Sequence, residues 1–288
     1  MTDIAVSGDG SRLAIADLSS GLYHVDLRNS PLVLQKIGQF GTTVTGLGLS
    51  YNGARLAGGR GDRSGILTIW PLGDGSQTLR PLRGHNSTVQ ATAFVENRDI
   101  LVSGDDDGVL YFWRLDRQEN SPAYSRQLEE RVTALAVSPD GVDVVSGTGN
   151  GLVTVWRLEK NGPVERIRFR HETSVTAVAI DPTKQYVAVA DFDGRVFLRN
   201  GLAGALLGEL EPVVKSDAYS NKMTVEALAF DGSGKWLYGI YRDGRLTSWA
   251  TSISSWIAAA CKIANRAPKD EERALYRSLF NSSDACLK

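Results

Sequence analysis

The stretch VTALAVSPDGVDVVSGTGNGLVTVWRL, residues 132–158, holds three short apolar runs divided by two turn signals, Pro-Asp-Gly at 139–141 and Gly-Asn-Gly at 149–151. Runs of this length, rich in valine and bounded by Gly, Pro and Asn, read as β-strands joined by tight hairpins. The design recurs. Strings that open as Val132 does stand at Met1 (MTDIAVS), Val44 (VTGLGLS), Val89 (VQATAFV), Val175 (VTAVAID) and Val225 (VEALAFD), and successive openings are 43, 45, 43, 43 and 50 residues apart. The third run ends 24 residues after the opening in five units, at Val25, Trp113, Trp156, Arg199 and Trp249. The second unit needs 26 to reach Trp70, because its Arg60–Ser64 turn carries two extra residues.

Each unit also has room for a fourth strand, such as Val164–Arg170. A single four-stranded sheet cannot bury both of its faces. Twisted sheets packed face to face around an axis bury them and leave only short edges. A helical solenoid would need a 3.6-residue period, which these units lack. The expectation is an all-β propeller: six four-stranded blades over residues 1–250, starting near 1, 44, 89, 132, 175 and 225, the last one incomplete. Residues 251–288 differ. Ile253, Trp256, Ile257, Ala260 and Ala264 share one helical face, and Leu275, Tyr276, Leu279 and Phe280 form a second stripe after Pro268 and the acidic Asp270–Glu272. This tail reads as a helical hairpin packed on the blades.

One unit carries a specific likeness. Leu101-Val102-Ser103-Gly104-Asp105-Asp106-Asp107-Gly108-Val109-Leu110-Tyr111-Phe112-Trp113, preceded by Gly84-His85, resembles a unit of the WD40-repeat family. The resemblance implies a structural tetrad of His85, Ser103, Asp107 and Trp113. Other units keep parts of it: Ser146, Asn150 and Trp156 in the fourth, His171 and Asp193 in the fifth, Asp243 and Trp249 in the sixth. The Trp-Asp dipeptide itself is missing. Ala260–Arg266 and the terminal Cys286 are similar to the ending of bacterial WD40 proteins linked to STAND-type NTPases, proteases or kinases.

Composition suits a folded chain with no bulk affinity for phosphate: 42% hydrophobic residues and a net charge of −1. No apolar run has the length of a membrane span, and no charged-then-apolar leader opens the sequence. The two cysteines, Cys261 and Cys286, read either as thiols in a reducing cytoplasm, the favoured reading, or as a disulfide pair. The residues argue against catalysis. Of three histidines, His85 and His171 fall on tetrad positions and His24 lies within a strand. No His/Cys cluster has metal spacing, and neither a Walker loop nor a nucleophile elbow occurs. Gly58–Gly61 reads as a strand-to-strand loop, Asp105–Asp107 as a turn, and Arg166–Arg170 as an outer strand with a basic face. No catalytic residue, metal or cofactor is expected.

Function then rests on surface recognition. The resemblance implies docking over the face that holds the turns between second and third strands, at Gly61, Asp106, Gly149, Phe192 and Arg242. Of these, Asp106, Phe192 and Arg242 are the candidate contacts, with Arg63 from the lengthened turn. Val213–Lys222 is a second candidate surface. The expected function is a non-catalytic scaffold or sensor binding a protein in a bacterial signalling or defence system. An effector domain encoded upstream is one such partner; nucleic acid and membrane are not expected. The alternative is a ligand-binding or enzymatic propeller that uses its central channel. Because Met1 already stands in register, no strand precedes it to complete the last blade. Either the tail covers the open edge, or the chain is the C-terminal part of a longer propeller protein, which is the favoured expectation.

Overall fold

A computed structural model describes residues 3–72, 80–117, 119–210 and 224–251. They form six antiparallel sheets in chain order. Blade 1 comprises β1 (Asp3–Val6), β2 (Arg12–Ala16), β3 (Gly21–Asp26) and β4 (Gln35–Gln39). Blade 2 comprises β5 (Val44–Leu49), β6 (Arg55–Arg60), β7 (Leu67–Pro71) and β8 (Arg80–Leu82). Blade 3 has β9 (Val89–Val95), β10 (Ile100–Asp105), β11 (Val109–Arg114) and β12 (Tyr124–Gln127), with a short 3-10 turn at Glu96–Arg98. Blade 4 has β13 (Val132–Val137), β14 (Asp143–Thr148), β15 (Leu152–Glu159) and β16 (Gly162–Arg170). Blade 5 has β17 (Val175–Ile180), β18 (Tyr186–Asp191), β19 (Val196–Asn200) and β20 (Leu206–Leu210). Blade 6 has three strands among the described residues: β21 (Val225–Phe230), β22 (Trp236–Tyr241) and β23 (Leu246–Ala250). The tail 252–288 with both cysteines, the insertion Val213–Lys222 and Met1 lie outside the described residues.

The first strands of the blades line a central channel, and the apolar core lies between blades. Val95, Val102 and Phe112 of blade 3, for example, pack on Val132, Val144 and Trp156 of blade 4. In blades 1 to 5, close approach is secured by a small residue at the end of the second strand or one position before it. Ala16, Gly59, Gly104, Gly147 and Ala190 face the valine that opens the next blade: Val44, Val89, Val132, Val175 and Val225. A Cβ added at Gly104 would stand 2.4 Å from Val132 Cβ, and one at Gly59 2.5 Å from Val89 Cβ. Gly58 and Gly59 therefore belong to β6 itself, not to the loop expected from glycine content; only Gly61 is in the turn.

The turns between first and second strands share a side-chain lock. Ser7 Oγ donates to Asp9 Oδ1 (2.7 Å) and accepts the Arg12 N–H (2.9 Å). Ser50 with Asn52, and Ser138 with Asp140, repeat it. In blade 6 the roles swap, with Ser233 Oγ donating to Asp231, which also caps the Trp236 N–H. Such bonds satisfy turn donors locally and fix each hairpin. Polar ties also join blades: the Arg12 guanidinium reaches the Leu72 carbonyl at 2.8 Å, and Arg98 the Leu158 carbonyl at 2.6 Å.

Candidate functional site

A buried polar network in blade 3 sets the turn that reaches the channel mouth. Trp113 Nε1 donates to Ser103 Oγ (2.7 Å), and Ser103 Oγ lies 2.6 Å from His85 Nε2. His85 Nδ1 is 2.7 Å from Asp105 Oδ2. The other carboxylate oxygen accepts the N–H groups of Asp107 (3.1 Å) and Val109 (2.7 Å). All four network side chains are buried, so each polar atom needs the partner it has. The acid is Asp105, not the Asp107 expected from the family pattern. A β-bulge between Gly104 and Asp105 accompanies this change: β10 extends to Asp105, whose side chain enters the blade, while Asp107 is exposed and contributes its N–H.

The same shift holds in blade 5, where Asp191 is fully buried and caps the N–H groups of Asp193 and Arg195 at 3.0 Å. Arg199 replaces the tryptophan there. Its Nε donates to His171 Nε2 (3.2 Å), and its guanidinium stacks 4.2 Å from the Phe169 ring centroid. Burial, reinforced by the Arg199 cation, pushes the His171 pKa down to about 4. In blade 4, Trp156 still donates to Ser146 (2.9 Å), and Thr148 takes the acid position, donating to Asn150 Oδ1 (2.8 Å). Blade 6 has Tyr241 at that position and Asp243 outside it, paired with Arg245 at 2.5 Å.

The residue after the acid position is pinned in every blade from 2 to 6. Its N–H donates to the carbonyl just before the next-door first strand: Gly61 to Thr43 (2.9 Å), Asp106 to Thr88 (3.0 Å), Gly149 to Arg131 (3.0 Å), Phe192 to Ser174 (2.8 Å) and Arg242 to Thr224 (3.0 Å). This bond holds an arc of turn residues at one end of the channel. Asp106, Phe192 and Arg242 line the same depression there, about 300 Å³ in volume, together with Gln90, Arg131 and Glu226. Gln90 donates to Asp106 Oδ1 (3.0 Å), and Arg242 Nε to Glu226 Oε1 (2.6 Å). Phe192 is 57% exposed. Arg63 is exposed in the blade 2 turn, in a left-handed conformation (φ 60°), and is not among the lining residues.

Three stretches, 76–114, 124–157 and 164–200, match the family model described as WD domain, G-beta repeat. Their second and third strands are the paired hairpins of blades 3, 4 and 5. The chain is a six-bladed β-propeller that carries WD40 repeats. No curated protein sequence matches it.

In this WD40 propeller the channel is more polar than its sequence suggested. Besides Ala, Leu, Val and Thr, the first strands place Asp3, Gln90 and Glu226 on the channel wall. Asp3 Oδ2 accepts the Leu47 N–H at 2.7 Å, and burial raises its pKa. The missed signal was the second residue of the first strands, where Gln90 and Glu226 replace the threonine of the other units. Among the described residues no three His, Cys, Asp or Glu side chains converge as metal ligands. The basic strand of the WD40 unit at 164–200 is compensated: Arg170 pairs with Glu129 (2.6 Å) and Arg168 with Glu165 (2.7 Å).

Proposed function

We propose that this propeller is a non-catalytic interaction module that docks a protein partner over the channel mouth. Phe192 and Arg242 are the anchors, Asp106 stands beside them, and Arg63 extends the surface along the equivalent turn of blade 2. The observation that carries this reading is the meeting of Asp106, Phe192 and Arg242 around one depression. Phe192 is held by its backbone yet leaves its ring in solvent, and aromatic and arginine side chains are the usual anchors of protein interfaces. Lining charges of both signs suit a mixed-charge protein loop better than a phosphate backbone, which calls for a basic field. WD40 propellers are generally non-catalytic, which fits a scaffold or sensor. Among the described residues no helix is long and apolar enough to cross a membrane.

We further assign the module to the cytoplasm of a bacterial signalling or defence system, with an effector of the STAND NTPase, protease or kinase kind as partner. The support is the likeness of the sequence Ala260–Arg266 to the endings of such chains, a segment outside the described residues. The test is capture from the native host by the wild type and by a Phe192→Ala/Arg242→Ala variant. The variant should retain less than a tenth of the partner while melting within a few degrees of the wild type. Equal capture by both proteins removes this face from consideration.

A further inference from the structure

Among the described residues, blades 1 and 6 meet at a loose seam. Consecutive first strands pack closely from β1 and β5 through to β17 and β21, whereas β21 and β1 approach far less closely, with Glu226 near enough to help raise the Asp3 pKa. Both nevertheless border the channel, through Asp3 and Ile4 on one side and Glu226–Leu228 on the other. The side of blade 6 that turns away from blade 5 is apolar and bare. Trp236, Tyr238 and Ile240 alternate along β22 at 45%, 39% and 41% exposure, whereas the matching strands β10, β14 and β18 are buried on both faces. Leu246, opposite Ile240 on β23, is exposed as well. Blade 1 presents Ile4 and Val6, which pair with Ile15 and Leu13 of β2.

Two observations point to the occupant. The first is Ile240. It stands where the other five blades carry Ala or Gly to admit the valine of the following blade. An isoleucine there fills that space, so the seam is not shaped for another blade of the same kind. The second is the path of the chain. Ala250 pairs with Trp236, the Thr251 N–H donates to the Lys235 carbonyl (2.9 Å), and Thr251 Oγ1 donates to the Gly234 carbonyl (2.6 Å). The chain thus leaves blade 6 beside Trp236, at the head of the bare row. The 37 residues that follow, 252–288, carry Ile253, Trp256 and Ile257 and then Leu275, Tyr276, Leu279 and Phe280 at helical spacing.

We infer that segment 252–288 docks into this seam, its apolar side chains covering Trp236, Tyr238, Ile240 and Leu246 and reaching Ile4 and Val6. The segment then bridges blades 1 and 6.

The chain supplies its own probes, because both cysteines lie in the segment. Ser248 is exposed on the bare face opposite Tyr238, and Ser248→Cys changes one atom. A short bismaleimide added to the full chain should link this residue to Cys261 or Cys286 within one molecule, identified by peptide mass. The rate should be at least tenfold above that of Ser125→Cys on the outer strand of blade 3. Ile240→Ser should lower the Ser248→Cys yield severalfold. Linkage only between two chains assigns the seam to a second copy and overturns the inference. So does a rate no higher than that of the Ser125→Cys control.

Discussion

At the scale of single residues, the neighbouring aspartates 105 and 107 differ in what their carboxylates do. Asp105 is buried and bonded to His85 and to two backbone N–H groups. Asp105→Ala should cost about 3 kcal/mol in urea denaturation, the loss expected when one member of a buried charged network is removed. Asp107→Ala, which removes an exposed carboxylate, should stay within about 0.5 kcal/mol. The family pattern put the network acid at Asp107 and the structure puts it at Asp105, because a bulge shifts side-chain direction without leaving a mark in residue type. His85, Ser103 and Trp113 were legible because their spacing is set by strand length. His171 makes a pH prediction. Its pKa falls from 6.5 to about 4 on folding, through burial and then Arg199. The unfolded chain therefore binds the extra proton between those values, and stability falls as pH drops from about 6.5 to 4, then levels off. The difference between the wild type and His171→Gln should follow that window, with an amplitude of at most about 3 kcal/mol.

At the scale of elements, the opening valines fixed the strand starts. β5, β9, β13, β17 and β21 begin at Val44, Val89, Val132, Val175 and Val225, since a β-branched residue in this place seats in the small-residue socket of the preceding blade. Gly104→Ala should accordingly cost about 1–3 kcal/mol by overpacking against Val132, measured by chemical denaturation. The same change at Gly208 of β20, where an added Cβ meets nothing within 4 Å, should be neutral or slightly stabilising. What the sequence did not disclose was the two-sided character of each strand. The run WLYGIY at 236–241 is as apolar as a doubly buried strand, and only the blade arrangement shows that alternate members lack a neighbour. At the channel mouth, Asp106, Phe192 and Arg242 were legible through the repeat. Arg131, Gln90 and Glu226 were not, because they come from a different strand brought alongside.

At the scale of the whole molecule, the close strand packing among the described residues runs between blades adjacent along the chain, so stability is approximated by a sum of blade and interface terms. Blades 2 to 5 each have two blade interfaces. Among the described residues, blades 1 and 6 each have one closely packed blade interface, through β1 with β5 and through β17 with β21. Opening of an end blade therefore breaks about half the inter-blade contact that opening of a central blade breaks. A non-blade segment lying in the seam would reduce this difference without removing it, since Ile240 prevents the close approach seen at Gly104 and Gly147. Native-state hydrogen exchange at low denaturant should show β10 and β14 exchanging only through global unfolding. β2 and β22 should exchange through local opening, at least tenfold faster. Arg12→Ala, which deletes the tie from blade 1 to the Leu72 and Gly53 carbonyls of blade 2, should accelerate β2 and leave β14 unchanged. Uniform acceleration of all six second strands would mean that the ring opens as one cooperative unit, contrary to nearest-neighbour behaviour.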